Sequence, residues 1–127
     1  MKHSGTHKGD NLADRLAKYA GEVLRVTAEL PEIKEGRHVR EQLLKSGTAP
    51  GAHYAEARSG QSANDFIHKV GLAAKEARES VHWLRTSIYA LFVKRDIGWL
   101  VDEGQQITAI LTASLQTARN NRRRTDE

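Results

Sequence analysis

Cysteine is absent from the 127-residue chain, which excludes a disulfide framework and any thiolate-held metal. Proline occurs only as Pro31 and Pro50, so few helix breaks are imposed. Aromatic residues make up only 6%, and no apolar run approaches the roughly 20 residues that a membrane-crossing helix needs. Residues 1–9 are polar and glycine-containing. They lack the apolar stretch of a secretory signal and are expected to form a disordered N-terminal segment. These absences together suit a soluble protein of the reducing cytoplasm. There is also no Gly-x-Ser-x-Gly nucleophile elbow and no glycine-rich phosphate loop, so nucleophilic catalysis and nucleotide chemistry lack their usual carriers.

What remains is helical composition: alanine, leucine, glutamate and arginine are plentiful, and nothing alternates as a strand does. The length suits one domain. Four periodic segments are separated by short breaks. In the first, residues 10–30, Leu12, Leu16, Tyr19, Val23, Val26 and Leu30 recur at spacings of four and three and share one face. Asp10 or Asn11 is its expected N-cap, and Pro31 stops it. The second spans residues 36–57, its apolar face opened by Val39, Leu43 and Leu44 and continued by Ala52, Tyr54 and Ala55. Pro50 predicts a kink there, the alternative being a loop between two short helices.

The third and longest segment, residues 62–93, opens with Ser62 as N-cap and Asp65 three residues on. Phe66, Val70, Ala73, Ala77, Val81, Leu84, Ile88 and Leu91 form its expected seam, and Lys94-Arg95 suits its end. The fourth covers residues 96–119, with Ile97, Leu100, Gly104, Ile107, Leu111 and Leu115 facing inward. Residues 120–127 read as a charged, frayed tail. The expected fold is all-α, an antiparallel up-and-down four-helix bundle over residues 10–119 with a kinked second helix.

Two Glu-x-x-His pairs, Glu35 with His38 and Glu79 with His82, match the spacing of di-iron bundles, with Glu22 or Glu29 and Glu103 available to complete a set. Helical phase opposes this. At about 100° per residue, Glu79 and His82 lie roughly 140–200° from the seam of their helix. Glu35 and His38 sit at a helix start beside Gly36, a poor place for rigid ligands. No metal or other cofactor is expected, and no catalytic residue; His53 and His68 read as surface or hydrogen-bonded side chains.

Two other features stand out. Leu72, Trp83 and Ala90 form a second apolar stripe on the third helix, away from the seam. A tryptophan there implies burial against something, most simply another copy of the chain; the alternative is that Trp83 packs on long side chains of its own protomer. His68, Lys75, Arg78, His82 and Arg85 form a basic lane within a quarter to a third of the same helix's circumference, and Arg119, Arg122, Arg123 and Arg124 add charge at the chain end. The formal net charge is +4 and the isoelectric point about 9.6. Such a lane can track phosphates without reading sequence. It carries no interleaved aromatics, and the alternative is a solvated face whose cations pair with Glu76 and Glu79.

The stretch from Gln42 through Leu43-Leu44-Lys45-Ser46-Gly47-Thr48-Ala49-Pro50-Gly51 to Ala57 resembles the second-helix signature of the bacterial four helix bundle protein family. The stretch from Asp65-Phe66-Ile67-His68 to His82-Trp83-Leu84-Arg85 resembles its third-helix signature. That family includes proteins encoded by intervening sequences in 23S ribosomal RNA genes, and the accessory variability determinant of diversity-generating retroelements is a more distant relative. The resemblance runs over nearly all four helices. It departs at His53, where the family usually has Asn, and at Ala49, where Ser is common. It implies a ring of protomers, typically a pentamer, without known catalytic activity and associated with nucleic acid. It also implies that Gln42, Ser46, Glu56, Lys75, Glu76 and Glu79 are structural polar positions, bonding between helices or subunits. The expected function is a non-catalytic oligomeric scaffold whose basic surface binds RNA or DNA. A protein-binding adaptor without nucleic-acid contact is the alternative, and a metal-dependent bundle enzyme a more remote one.

Overall fold

The protein is described by a computed structural model over residues 8–60 and 62–126; of the segment 1–9 expected to be disordered, residues 1–7 lie outside the described residues, whereas Lys8 and Gly9 open the first helix. Four helices follow one another: α1 (Lys8–Glu29), α2 (Lys34–Arg58), α3 (Ala63–Tyr89) and α4 (Gly98–Asp126). No strand occurs among the described residues. Each helix packs on the next, most extensively α2 on α3, and α1 and α4 touch only lightly.

In α1 the 4-3-4-3-4 row is buried throughout, from Leu12 and Leu16 to Val26 and Leu30. Large apolar side chains on one stripe give this helix a single way to face the core. It begins at Lys8, ahead of the expected cap, so Asp10 lies in the first turn, where it suits the positive end of the helix dipole. Arg58 at the end of α2 binds Asp10 at 2.6 Å. At the other end Arg40 of α2 donates to the carbonyl oxygens of Thr27 (3.1 Å) and Leu30 (2.8 Å), satisfying acceptors that the helix end leaves open. Start thus meets end on both sides of the α1–α2 pair. The same reversal links α2 to α3 through Lys69–Glu56 and Lys45–Glu76, and α3 to α4 through Arg122–Asn64.

Helix α2 runs through Pro50 without a loop, and Pro50 is itself buried. Its inner face differs from the expected one. Leu44, Ala52 and Ala55 point outward, and the buried row is Gly36, Val39, Leu43, Ser46, Gly47, Pro50, Tyr54 and Ala57. The small residues lie inside because α1 comes so close. A methyl group on Gly47 would stand 2.9 Å from Cβ of the fully buried Val23.

Helix α3 is capped as its sequence predicts, Ser62 Oγ accepting from the Asp65 backbone N–H at 3.1 Å. It stops at Tyr89, however, short of the predicted Val93. Leu91 takes a left-handed conformation (φ 61°) and is 82% exposed instead of closing the seam. Its N–H reaches the Ile88 carbonyl and that of Phe92 reaches Ser87, both at 3.0 Å, the pairing of a Schellman stop. The buried face keeps Val70, Ala73, Ala77 and Leu84 but is completed by Ile67, Ala74, Glu76, Ser80 and Ser87, while Phe66, Val81 and Ile88 lie at its margin.

Helix α4 buries Leu100, Gly104, Ile107 and Leu111 as predicted, with Leu115 half-buried and Ile97 buried just before the first turn. Asp96 receives the Gly98 N–H at 2.8 Å at its start. The expected frayed tail is helical: α4 continues to Asp126, with Arg123 and Arg124 in its last turn, where cations complement the dipole. None of the helices, over the described residues, is long and apolar enough to cross a membrane.

Candidate nucleic-acid interface

The basic lane stands on the outer face of α3 beside α4, with His68, Lys75, Arg78, His82 and Arg85 all exposed. Near its start, His68 and Leu72 share a shallow depression of about 490 Å³ with Leu115, Arg119 and Arg122 of α4. The fold therefore joins two charge clusters that are far apart in sequence. Arg122 is fixed there by its 2.7 Å bond to Asn64. Arg123 and Arg124 extend the charge along the end of α4 and are exposed.

Among the described residues, neither Glu76 nor Glu79 forms an ion pair with a cation of the lane. Glu76 is turned into the α2–α3 contact, where it pairs with Lys45 at 3.8 Å. Glu79 is half-buried. Among the described residues, the ion pairs lie elsewhere: Arg15 with Glu103, Arg40 with Glu32, Arg58 with Asp10, Arg95 with Glu29 and Lys69 with Glu56. Those guanidiniums hold their protons more firmly where the partner hydrogen-bonds them, as Glu103 does Arg15, Asp10 does Arg58 and Glu29 does Arg95. The cations of the α3 lane face solvent, as do Arg25, Lys34, Arg37 and Lys94 elsewhere on the surface.

At its far end, Arg78, His82 and Arg85 surround a second shallow depression of about 750 Å³ with Val81, Thr86, Tyr89 and Ala90. Tyr89 is 79% exposed. It belongs to the lane and was missed by the sequence reading, although its place four residues after Arg85 and seven after His82 puts it on the same face. The lane does carry an aromatic.

The stripe of Leu72, Trp83 and Ala90 is divided. Leu72 is half-buried beside α4, Ala90 is exposed, and Trp83 is half-buried against the core. The indole meets His38 of α2 and His82 of its own helix edge-to-face, at centroid distances of 5.7 and 4.8 Å. Its partial burial is thus met within one protomer. The histidines of the two Glu-x-x-His pairs accordingly flank a tryptophan on the outside of α2 and α3. Among the described residues, no group of three or more metal-type side chains converges.

The polar positions separate into two sets. Glu56 is exposed and is held below the ordinary carboxylate range by hydrogen bonds, first from His53 and then from Lys69. His53 contacts it at 3.3 Å. Ser46 and Glu76 are buried, and Ser46 Oγ and Glu76 Oε1 have no hydrogen-bond partner. Gln42 is half-buried and Lys75 exposed. A further cleft of about 730 Å³, between α1 and α4, is lined mainly by apolar groups such as Leu12, Phe66 and Ile110; its one charged residue, Arg15, is committed to Glu103.

The model of the 23S rRNA-intervening sequence protein family matches residues 12–113. A crystal structure from Bacteroides thetaiotaomicron, of a protein of unknown function from the S23 ribosomal protein family, superposes with a TM-score of 0.76 at 26% identity. That likeness covers 87% of this chain and 99% of the other. No curated protein matches.

Proposed function

Since the chain belongs to the 23S rRNA-intervening sequence protein family, we propose that it is a non-catalytic, cytoplasmic scaffold that assembles with copies of itself and binds RNA or DNA along α3. One observation carries this reading: the cations of α3, with Arg119 and Arg122 of α4, form a solvent-facing lane in which none is ion-paired to a carboxylate among the described residues. A row of this kind replaces counterions along a phosphate backbone, so binding is salt-sensitive and largely indifferent to sequence. Self-association is supported by apolar side chains that the protomer leaves exposed, Leu24, Ile33, Leu44, Leu91 and Trp99. The resemblance noted above favours a ring, typically of five.

Retardation of RNA on a native gel, repeated at salt concentrations from about 50 to 200 mM, tests the nucleic-acid part. Wild-type chain should shift the RNA at the low end and release it at the high end. The Arg78→Glu/Arg85→Glu variant should shift nothing. Absence of any shift at low salt ends this reading. Light scattering at the same salt concentrations tests the assembly, and a monomer mass throughout refutes it.

A protein-binding adaptor is the second reading. It is favoured by the bundle end that carries the α1–α2 and α3–α4 connections, where Ile33, Leu91 and Trp99 are 49%, 82% and 50% exposed. Pull-down from a native lysate with and without nuclease separates the two, because an adaptor keeps its partners after nuclease.

A further inference from the structure

We propose that the depression formed by Arg78, His82, Arg85 and Tyr89 receives an unstacked base of a single-stranded nucleic acid, with the Tyr89 ring as the stacking platform and the two guanidiniums on the flanking phosphates. This rests on the nucleic-acid reading above and narrows it from a polyanion track to a site for single strands.

Three observations meet at this place. The ring of Tyr89 is 79% exposed, and among the described residues it makes neither a ring–ring contact nor a hydrogen bond. A large side chain left in water on a helix face does little for the fold, and this one does not cover the core. The ring also stands within a concavity, where Val81 and Ala90 supply apolar wall and Arg78, Arg85 and His82 supply charge and donors. Its volume of about 750 Å³ falls within the range of small-molecule sites, roughly 300–1,000 Å³. Finally, the helix phase that aligns Arg78, His82 and Arg85 also aligns Tyr89, so base and backbone would be engaged from one direction.

A regular duplex does not use such a site well. Its bases are stacked on each other, and only its phosphates reach an outer helix face. Single strands offer both a backbone and free π-faces, and aromatic platforms beside cations are how proteins hold them without reading sequence. The sugar is not specified by these contacts; ribose and deoxyribose strands share the chemistry.

The test is fluorescence anisotropy of the full chain at low salt with three labelled probes: a uridine 12-mer, the corresponding deoxyuridine 12-mer and a blunt 12-base-pair RNA duplex. The single strands should bind more tightly than the duplex. Tyr89→Ala should weaken single-strand binding about 5- to 150-fold, the range of a lost base–aromatic stack, and leave duplex binding unchanged. Tyr89→Trp should restore it. A difference between the two single strands identifies the sugar preference within the same site. If single strands and duplex bind equally and Tyr89→Ala changes neither, this inference is overturned while the electrostatic reading stands. If no probe binds, both fall. Because the side chain is so exposed, Tyr89→Ala should keep the wild-type melting temperature and oligomer mass; a changed mass would assign Tyr89 to subunit contact and overturn the base site.

Discussion

The hydroxyls of Tyr19 and Ser80 meet at 2.7 Å inside the bundle and join α1 to α3. Ser80 directs its own proton to the Ala77 carbonyl at 2.6 Å, so Tyr19 is the donor between the two. Burial pushes the Tyr19 phenol up from 10.0 to about 12. In the unfolded chain the phenol ionises near 10. The folded phenol thus holds its proton over a range where the unfolded one has lost it, and stability must fall as pH rises. The contribution is intact below pH 10 and is lost by about pH 12, a span worth about 2–3 kcal/mol.

Tyr19→Phe should therefore be less stable than wild type near pH 7, by about 1 kcal/mol for the lost hydrogen bond. The gap should narrow or reverse as pH passes 10, because the variant has no phenol to titrate. Urea midpoints from pH 7 to 11 measure this. Parallel pH profiles for the two proteins would show that the folded state does not resist ionisation of Tyr19.

Gly47 and Val23 set the spacing of α1 and α2. Gly47→Ala gains about 1 kcal/mol of helix propensity, yet its methyl would overlap the Val23 side chain, including a 2.9 Å approach to Cβ. Val23 is fully buried and β-branched, so it has little freedom to move aside. The single variant should be destabilised on balance, by about 1–2 kcal/mol. Val23→Ala alone should also destabilise, through a cavity. Combined, the added methyl enters the vacated space, and the pair should couple favourably by about 1–2 kcal/mol. Additive losses in chemical denaturation would mean that the helices do not pack through this contact.

How far the sequence discloses the fold depends on the helix. Helix α1 was legible almost in full because, Thr27 apart, its core positions are large and apolar. Helix α3 was legible only in part, because Ser80, Ser87 and Glu76 occupy buried positions that hydropathy assigns to solvent. The two serines enter the core cheaply by bonding to carbonyls of their own helix, Ala77 and Trp83. Conversely Leu91 and Leu44, apolar by type, face outward. The charged end of α4 has the composition of a tail, and only the tertiary bond of Arg122 to Asn64 explains why it stays against α3. In the candidate site, the spacing of His68 to Arg85 was readable from helical period, and so was Tyr89 once the lane is followed past Arg85. The neighbourhood of Trp83 was not, because His38 arrives from another helix.

Leu91 adopts φ 61° at the position where a helix stop normally has glycine. A side chain in that conformation costs roughly 1–2 kcal/mol, and this one recovers little by burial, being 82% exposed. Leu91→Gly should stabilise the fold by about 1 kcal/mol, after allowing for the greater freedom of glycine in the unfolded chain. The midpoint of thermal unfolding should rise by about 3–6 °C. A fall would indicate that the exposed leucine is covered in the assembled protein, and the comparison repeated at high dilution would then show the expected gain.

Ser46 presents the opposite case, a buried polar atom without a partner. Its Oγ is hidden between helices and unbonded, and a buried hydroxyl without a hydrogen bond costs about 1–3 kcal/mol. Ser46→Ala removes that atom, leaves the Cβ packing in place and improves helix propensity. It should raise stability by about 1 kcal/mol, read as a higher urea midpoint at unchanged slope. Glu76→Gln distinguishes the two buried groups. It keeps the shape but removes the charge that Lys45 meets at 3.8 Å, so any gain there reports relief of charge burial rather than of a missing donor. If Ser46→Ala instead destabilises by more than about 1 kcal/mol, the hydroxyl has a partner in the assembled molecule, and the polar positions of α2 and α3 act together as a network.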